Sequence, residues 1–509
     1  MRGKLLTRRK LLRRLDTGFG SQRKDAFGCR QALLWYNPSE RLANRECSLM
    51  TERPQTKTNV SGIHRCTRRR VLEVGSSAAL GLTLPQMLAA AGARSVGSVD
   101  QTFGSARSCV VIFLWGGPGQ QDLWDPKPLA PSTLRSEFSP IATRVTGIQI
   151  TDQLPNLARQ ADRFTIVRSV THRDFEHGTA AYTALTGQPH PLPGTNTTAR
   201  PDDFPTYGSV VTKLTPTSDP VPEFVVLGPV MHQGARPPLA GQNAGFLGPG
   251  FDAFRVAADP ASDSFDVEGI ALQDGLSDRR LAGRQRLLAS LDRQKQTFDN
   301  VQVKGMSKLY DRAFGLLGSM KLRRAFDLTG ESDKLRDADG RSQFGQTLLL
   351  ARRLVQARVP LVTINWSKLN ADQWDTHKNN YPRLRKLLPP FDRGLAAFLQ
   401  DLDERGLLDS TLVVCLGEFG RTPKINEDAG RDHWPDCYSM VLAGGGIPGG
   451  RIYGASNRTA SYPVRDDVAP WDIAATMYHL IGIDPSVHIV NREGQPRPVA
   501  RGQVISGLF

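Results

Sequence analysis

The sequence predicts an α/β domain built on a mainly parallel sheet with helices on both faces. Three observations carry this expectation. Uniformly apolar runs of strand length recur along the chain. Longer stretches with helical periodicity separate several of them. The residues directly after the runs collect glycines, carboxylates and imidazoles, as the rim loops of an open α/β sheet do.

The first run, residues 109–115, reads Cys-Val-Val-Ile-Phe-Leu-Trp and suits a strand buried on both faces. Residues 164–167 and 224–227 supply a second and a third strand. A stretch rich in Arg, Leu, Gln and Lys over 279–328 reads as helix. Residues 343–357 read as another, with Leu348, Leu349, Leu350, Leu354 and Val355 as its apolar stripe. Strand material follows at 361–364, then an amphipathic helix over 381–405 that stops at Gly406. Strands at 411–416 and 438–443 and a helix over 471–481 complete the pattern. The chain shows neither repeats nor a coiled-coil heptad.

The length of 509 residues admits one large α/β domain or two ordinary ones. With 39% hydrophobic and 23% charged residues, the composition is globular. The net charge of +15 is concentrated at the front: residues 1–93 hold 18 basic and 6 acidic residues, the rest 47 and 44. The body is near neutral and offers no basic stripe for nucleic acid. Of six cysteines, only Cys109, Cys415 and Cys437 fall in the body, without a CxxC pair. A Cys415 to Cys437 bridge is open in an oxidising compartment, but buried free thiols are the favoured reading.

The front of the chain reads as a leader. Arg68-Arg69-Arg70 precedes a Gly/Ala-rich apolar run that ends in Ala91-Gly92-Ala93, a small-residue cleavage pattern. The run is interrupted by Pro85 and is too weak for a membrane span. Paired arginines in this position resemble a twin-arginine signal, so the twin-arginine export machinery is an expected partner and the periplasm the expected location. The expected boundaries are a basic extension at 1–49, the signal at 50–93, a linker at 94–107 and a single domain at 108–509. Translation starting at Met50 would give the signal an ordinary length. No stable membrane span remains after cleavage.

Chemistry gathers after the strands. The first is followed by Gly116-Gly117-Pro118-Gly119 and Asp122, the second by His172 and His177. After 361–364 come Asp375 and His377; after 411–416 come Glu418, Phe419 and Arg421, then Asp432-His433. Four of nine histidines fall in these segments. Such an Asp/Glu/His set suits zinc, manganese, magnesium or calcium, and argues against a thiolate site. Each residue also has a plainer role. Asp375 and His377 can cap the following helix, Glu418 can pair with Arg421, His172 and His177 can be satisfied core histidines, and Asp122 can close a turn. The glycine runs match no Walker or dinucleotide motif.

These segments resemble the bacterial family called domain of unknown function 1501. The matching pieces are Arg68-Arg69, Leu114-Trp115-Gly116-Gly117-Pro118, Trp124-Asp125-Pro126-Lys127-Pro128 and Arg168-Ser169-Val170-Thr171-His172. They continue with Trp374-Asp375-Thr376-His377, Gly417-Glu418-Phe419-Gly420-Arg421-Thr422-Pro423 and Gly430-Arg431-Asp432-His433-Trp434-Pro435. The family is similar to the alkaline phosphatase/sulfatase superfamily. That resemblance implies a three-layer α/β/α sandwich with a divalent metal site on its rim. It implies Asp122, Asp375, His377, Glu418 and His433 as metal ligands. Two departures stand out. Phe419 replaces a metal-binding histidine, and the place of the sulfatase nucleophile, nine residues before Thr186-Gly187, is taken by His177. No formylglycine motif is present.

The leading expectation is an exported metal-dependent hydrolase of phosphate or sulfate esters. His177 or His172 would act on substrate and Arg421 would bind the anionic group of a small molecule or polysaccharide ester. The alternative is a catalytically inactive exported binding protein on the same fold.

Overall fold

The computed structural model describes residues 99–509 apart from 196, 235, 268–279, 367–372 and, within 281–318, all but 283, 286 and 287. The described residues belong to one compact unit, Ala89–Phe509. The leader expectations and most of the 279–328 helix lie outside them.

An eight-stranded sheet forms the centre. Its strands are β1 (Ser108–Phe113), β2 (Phe164–Val170), β3 (Phe224–Leu227) and β4 (Phe254–Val256), then β5 (Leu361–Asn365), β6 (Thr411–Leu416), β7 (Tyr438–Ala443) and β8 (Arg451–Tyr453). They lie in the order β8-β2-β7-β6-β1-β5-β3-β4. β1 runs parallel to both neighbours, with Phe113 level with Asn365 and Leu416. β3 is parallel to β5 and β4, and β8 to β2. β7 alone in this sheet runs antiparallel to both of its neighbours, β2 and β6. Strands β1, β2, β5 and β6 therefore end at one edge, and β7 begins there.

The helices are α1 (His177–Thr186), α2 (Tyr207–Leu214), α3 (Gln343–Gln356), α4 (Asn380–Glu404) and α5 (Pro470–Leu480). Every residue of β1 is buried, and alternate side chains enter different cores. Val110 and Ile112 pack with Leu348 and Leu354 of α3 and Phe391 of α4. Cys109, Val111 and Phe113 pack with Tyr182 of α1, Val210 of α2 and Tyr478 of α5. Helices thus cover both faces, giving three layers. A continuous apolar strand is what such double burial requires.

The expected strands and the helices at 343–357, 381–405 and 471–481 are all present, within a residue or a few at their ends. Gly406 takes φ +65 after α4 and Gly187 caps α1 in the left-handed region. Cys109, Cys415 and Cys437 are free and buried, so the bridge is not formed. Part of the expected linker is bound to the domain: Ala106 and Arg107 donate backbone N–H groups to the Leu480 and Ser410 carbonyls. Among the described residues no helix is long and apolar enough to cross a membrane.

The turn after β1 positions the rim. Gly116 adopts φ +111, and a Cβ there would lie 2.3 Å from the Asp375 nitrogen and 2.7 Å from the Trp374 carbonyl carbon. Glycine is needed both for the conformation and for the close approach. Gly116→Ala is expected to destabilise the fold by about 2–4 kcal/mol, measured as a lowered thermal unfolding midpoint. An unchanged midpoint would show that this turn does not set the approach of the Asp375 segment.

Candidate metal centre

The centre is built at the edge where β1, β2, β5 and β6 end. Asp375 follows β5, Glu418 follows β6, and His177 opens α1 after β2. His433 arrives differently. It sits in a two-stranded ribbon opposite Arg421, just before antiparallel β7. A reversed strand brings its preceding residues, not its following ones, to this rim.

Four groups converge. Asp375 Oδ1 lies 3.2 Å from His377 Nε2, 3.5 Å from His433 Nε2 and 3.5 Å from His177 Nε2. The Nε2 atoms of His377 and His433 are 2.9 Å apart. Ligand atoms that share a divalent cation through bonds of about 2 Å are spaced by roughly this much. Three of the four, His177, Asp375 and His433, each offer a ligand atom within 4.8 Å of the others; His377 touches Asp375 and His433 but lies outside that mutual set.

Each ring is held by its other nitrogen. His433 Nδ1 donates to the Phe175 carbonyl at 2.6 Å. His377 Nδ1 faces the Asp432 carboxylate at 2.9 Å, and His177 Nδ1 faces Glu418 Oε1 at 2.5 Å. These acceptors place the ring hydrogen on Nδ1 and leave Nε2 with a bare lone pair in the neutral ring. Two such lone pairs opposed at 2.9 Å repel unless a proton or a cation lies between them. The buried His177 Nε2 has no hydrogen-bond partner. This arrangement, Nε2 inward and Nδ1 pinned, is the one metal-binding histidines adopt. The residues present therefore fit a divalent cation.

The electrostatics agree. Burial works to raise Asp375, but the nearby His177 and His433 rings and the Arg421 charge hold it well below the usual carboxylate range. Burial disfavours the charged ring of His177, yet the Asp375 and Glu418 carboxylates outweigh it and push the pKa up to about 9. Burial, aided by the nearby His177 and Arg421 charges, lowers His433. The cluster wants positive charge, and His433 resists supplying it as a proton.

The other expected residues lie elsewhere. Asp122 is fully buried and committed to Arg431, whose Nε is 2.8 Å and Nη2 3.1 Å from its carboxylate. Ser136 and Asn380 also donate to it, at 2.7 and 3.0 Å. It does not join the cluster. Arg421 is buried too: it pairs with Asp375 and donates to the carbonyls of Gly116, Gly117 and Arg431. Its guanidinium positions Asp375 and is not presented to a ligand. His172 is a satisfied core histidine, with Nδ1 accepting from Asp174 N–H and Nε2 donating to the Glu418 carbonyl. Glu418 Oε1 accepts from His177 and from Gly116 N–H at 2.9 Å, and Oε2 has no partner. It stands behind His177 rather than among the four.

Phe419 fills the space a further histidine would need. Its ring centroid lies 4.9 Å from that of His177 and 4.4 Å from that of His433. Sequence reasoning placed Asp432 near the rim without giving it a role, and missed Arg431, Asn380 and the Phe175 carbonyl as supporting groups. Arg431 and Asp432 directly precede His433, but a polar stretch does not reveal which charge is buried.

No curated protein matches this chain in sequence. Among solved structures, Ps i-CgsB is similar at 12% identity, over 79% of this chain and 75% of that one, with a TM-score of 0.37. The PsFucS1 sulfatase from Pseudoalteromonas sp. is similar at 13% identity, over 74% and 68%, TM-score 0.34. A protein in the alkaline phosphatase superfamily from Vibrio parahaemolyticus is similar at 11% identity, over 75% and 68%, TM-score 0.32. Residues 106–509 match the family model described as protein of unknown function (DUF1501), and the chain belongs to that family.

Proposed function

We propose that this chain is an exported, metal-dependent hydrolase of phosphate or sulfate esters with a single metal centre. The observation that carries this reading is the convergence of three pinned imidazoles on Asp375. Three nitrogens and one carboxylate favour a borderline ion such as zinc over calcium or magnesium. When bound, such an ion polarises an ester oxygen and lowers the pKa of water.

His177, His377, His433 and Asp375 would hold the ion, and Glu418 and Asp432 would orient two of the rings. Arg421 keeps Asp375 ionised and aimed. The anionic ester group needs another seat. The first turn of α1 begins at His177 and has no side-chain cap. Its free backbone N–H groups are donors of the right kind for ester oxygens. Phe419 and Trp115, against His177, keep one wall apolar.

A second reading, an inactive exported binding protein, draws on the missing nucleophile. Ser169 Oγ donates to the Asp466 carbonyl at 2.6 Å, and Thr179 is wholly buried. Under that reading an ester binds and is released unchanged.

Protein purified without chelator is expected to carry about one ion per chain by mass spectrometry and to turn over a phosphate or sulfate ester. Asp375→Asn and His433→Ala should abolish both properties. Metal-free protein sinks the proposal; metal-loaded protein without turnover on the ester panel leaves the binding reading. Glu418→Gln should keep the fold and weaken metal affinity about 10- to 100-fold, because His177 loses its charged orienting partner; a competition titration against a chelator measures it. Replacing Arg68 and Arg69 by lysine should hold the protein in the cytoplasm, as cell fractionation would reveal.

A further inference from the structure

A cleft of about 1100 Å3 lies beside the metal centre. Its walls come from the 171–175 loop after β2, the 189–194 loop and the 462–471 segment that runs into the start of α5. Two links tie it to the centre. Phe175 lines the cleft, and its carbonyl fixes His433. Tyr462, also in the wall, packs on Trp434, the neighbour of His433, with ring centroids 5.6 Å apart.

The cleft mouth is unusually apolar for an exposed surface. Phe175, Tyr462 and Val464, which line it, are 55%, 50% and 65% exposed, and Leu192, in the 189–194 loop but outside the lining, is 49% exposed. These are four of the ten large hydrophobic residues exposed among the described residues, and they come from the three segments that wall the cleft. Such clustering marks a recognition surface.

The polar groups specify what is recognised. The lining has four aspartates and two arginines, and Arg465 is already paired with Asp466 at 3.2 Å. Asp436 and Asp467 have no ion-pair partner among the described residues. His190 is 6% exposed and lines the cleft. Its Nδ1 accepts from Leu192 N–H at 3.0 Å, so the neutral ring carries its hydrogen on Nε2. No acceptor for that hydrogen is found among the described residues.

We infer that this cleft takes the body of the substrate, and that the body is an uncharged, hydroxyl-rich sugar chain. A sugar ring covers a half-exposed aromatic with its C–H face. Its hydroxyls donate to carboxylates such as Asp436 and Asp467 and accept from His190 Nε2–H. A polyanion fits badly, because the four aspartates of the lining outnumber Arg173 and Arg465. This narrows the ester expected from the sequence: the negative charge belongs to the single group at the metal, not to the chain that carries it. The word substrate rests on the hydrolase reading; the binding does not.

Calorimetric titration of the full chain with matched-length oligosaccharides tests this. The neutral set is β-1,4-linked glucose, xylose and mannose and α-1,4-linked glucose; the anionic set is heparin and polygalacturonate fragments. At least one neutral chain is expected to bind about tenfold more tightly than either polyanion at low salt. Tyr462→Ala should weaken that binding about tenfold and leave the metal content unchanged. Asp467→Lys should raise polyanion affinity several-fold. Tighter binding of a polyanion by the unaltered protein, or no binding of any neutral chain, overturns the inference. Failure of the hydrolase reading is distinct: it shows as missing metal or missing turnover while sugar binding persists.

Discussion

Two buried arginines tie the rim of the sheet together. Removing a guanidinium from water is tolerable only when a carboxylate and several acceptors replace the lost hydration. Arg421 finds Asp375 and the carbonyls of Gly116, Gly117 and Arg431. Arg431 finds Asp122, the carbonyls of Thr422 and Pro423 and the Tyr381 hydroxyl. The segments after β1, β5 and β6 are therefore cross-linked by charge-assisted hydrogen bonds. With either carboxylate removed, a charge would stay buried without its partner. Asp375 is consequently fixed in place before any cation arrives, and the cluster is preorganised.

That same pairing explains what the sequence could and could not reveal. Strands such as 109–115 and 411–416 were legible because burial on both faces demands uninterrupted apolar residues. The helix over 381–405 was legible from its stripe and its terminal glycine. The direction of β7 was not legible. A strand buried on both faces reads the same in either direction, so 438–443 gave no hint that the residues before it would reach the rim. Asp122 and Asp375 look alike in sequence, each following a strand. The difference is made by which arginine each meets, and that is a long-range contact. His433 reached the cluster as expected, but through a ribbon with Arg421 that two residues cannot announce.

Phe419 shapes the chemistry by occupying space. A histidine there would add another nitrogen beside His177 and His433. The phenyl ring instead lies face-near to His433, with ring planes inclined at 31°. It contributes apolar surface and removes any lone pair from that side. Burial by such a ring lowers the local dielectric, which strengthens every remaining charge interaction. Phe419 thus leaves one compact cluster of imidazoles and a carboxylate with an apolar wall.

The short stretch from Thr171 to His177 links the cleft to the His/Asp cluster. His172 backs Glu418 through the Glu418 carbonyl, and Glu418 in turn holds His177. Asp174 accepts from Glu176 N–H and from Gly194 N–H, pulling the 189–194 loop onto the start of α1. Phe175 offers its ring to the cleft and its carbonyl to His433. Any ligand that presses on the Phe175 ring bears on the backbone that aims His433. The two sites share covalent backbone over a few residues, so their coupling needs no longer pathway than that.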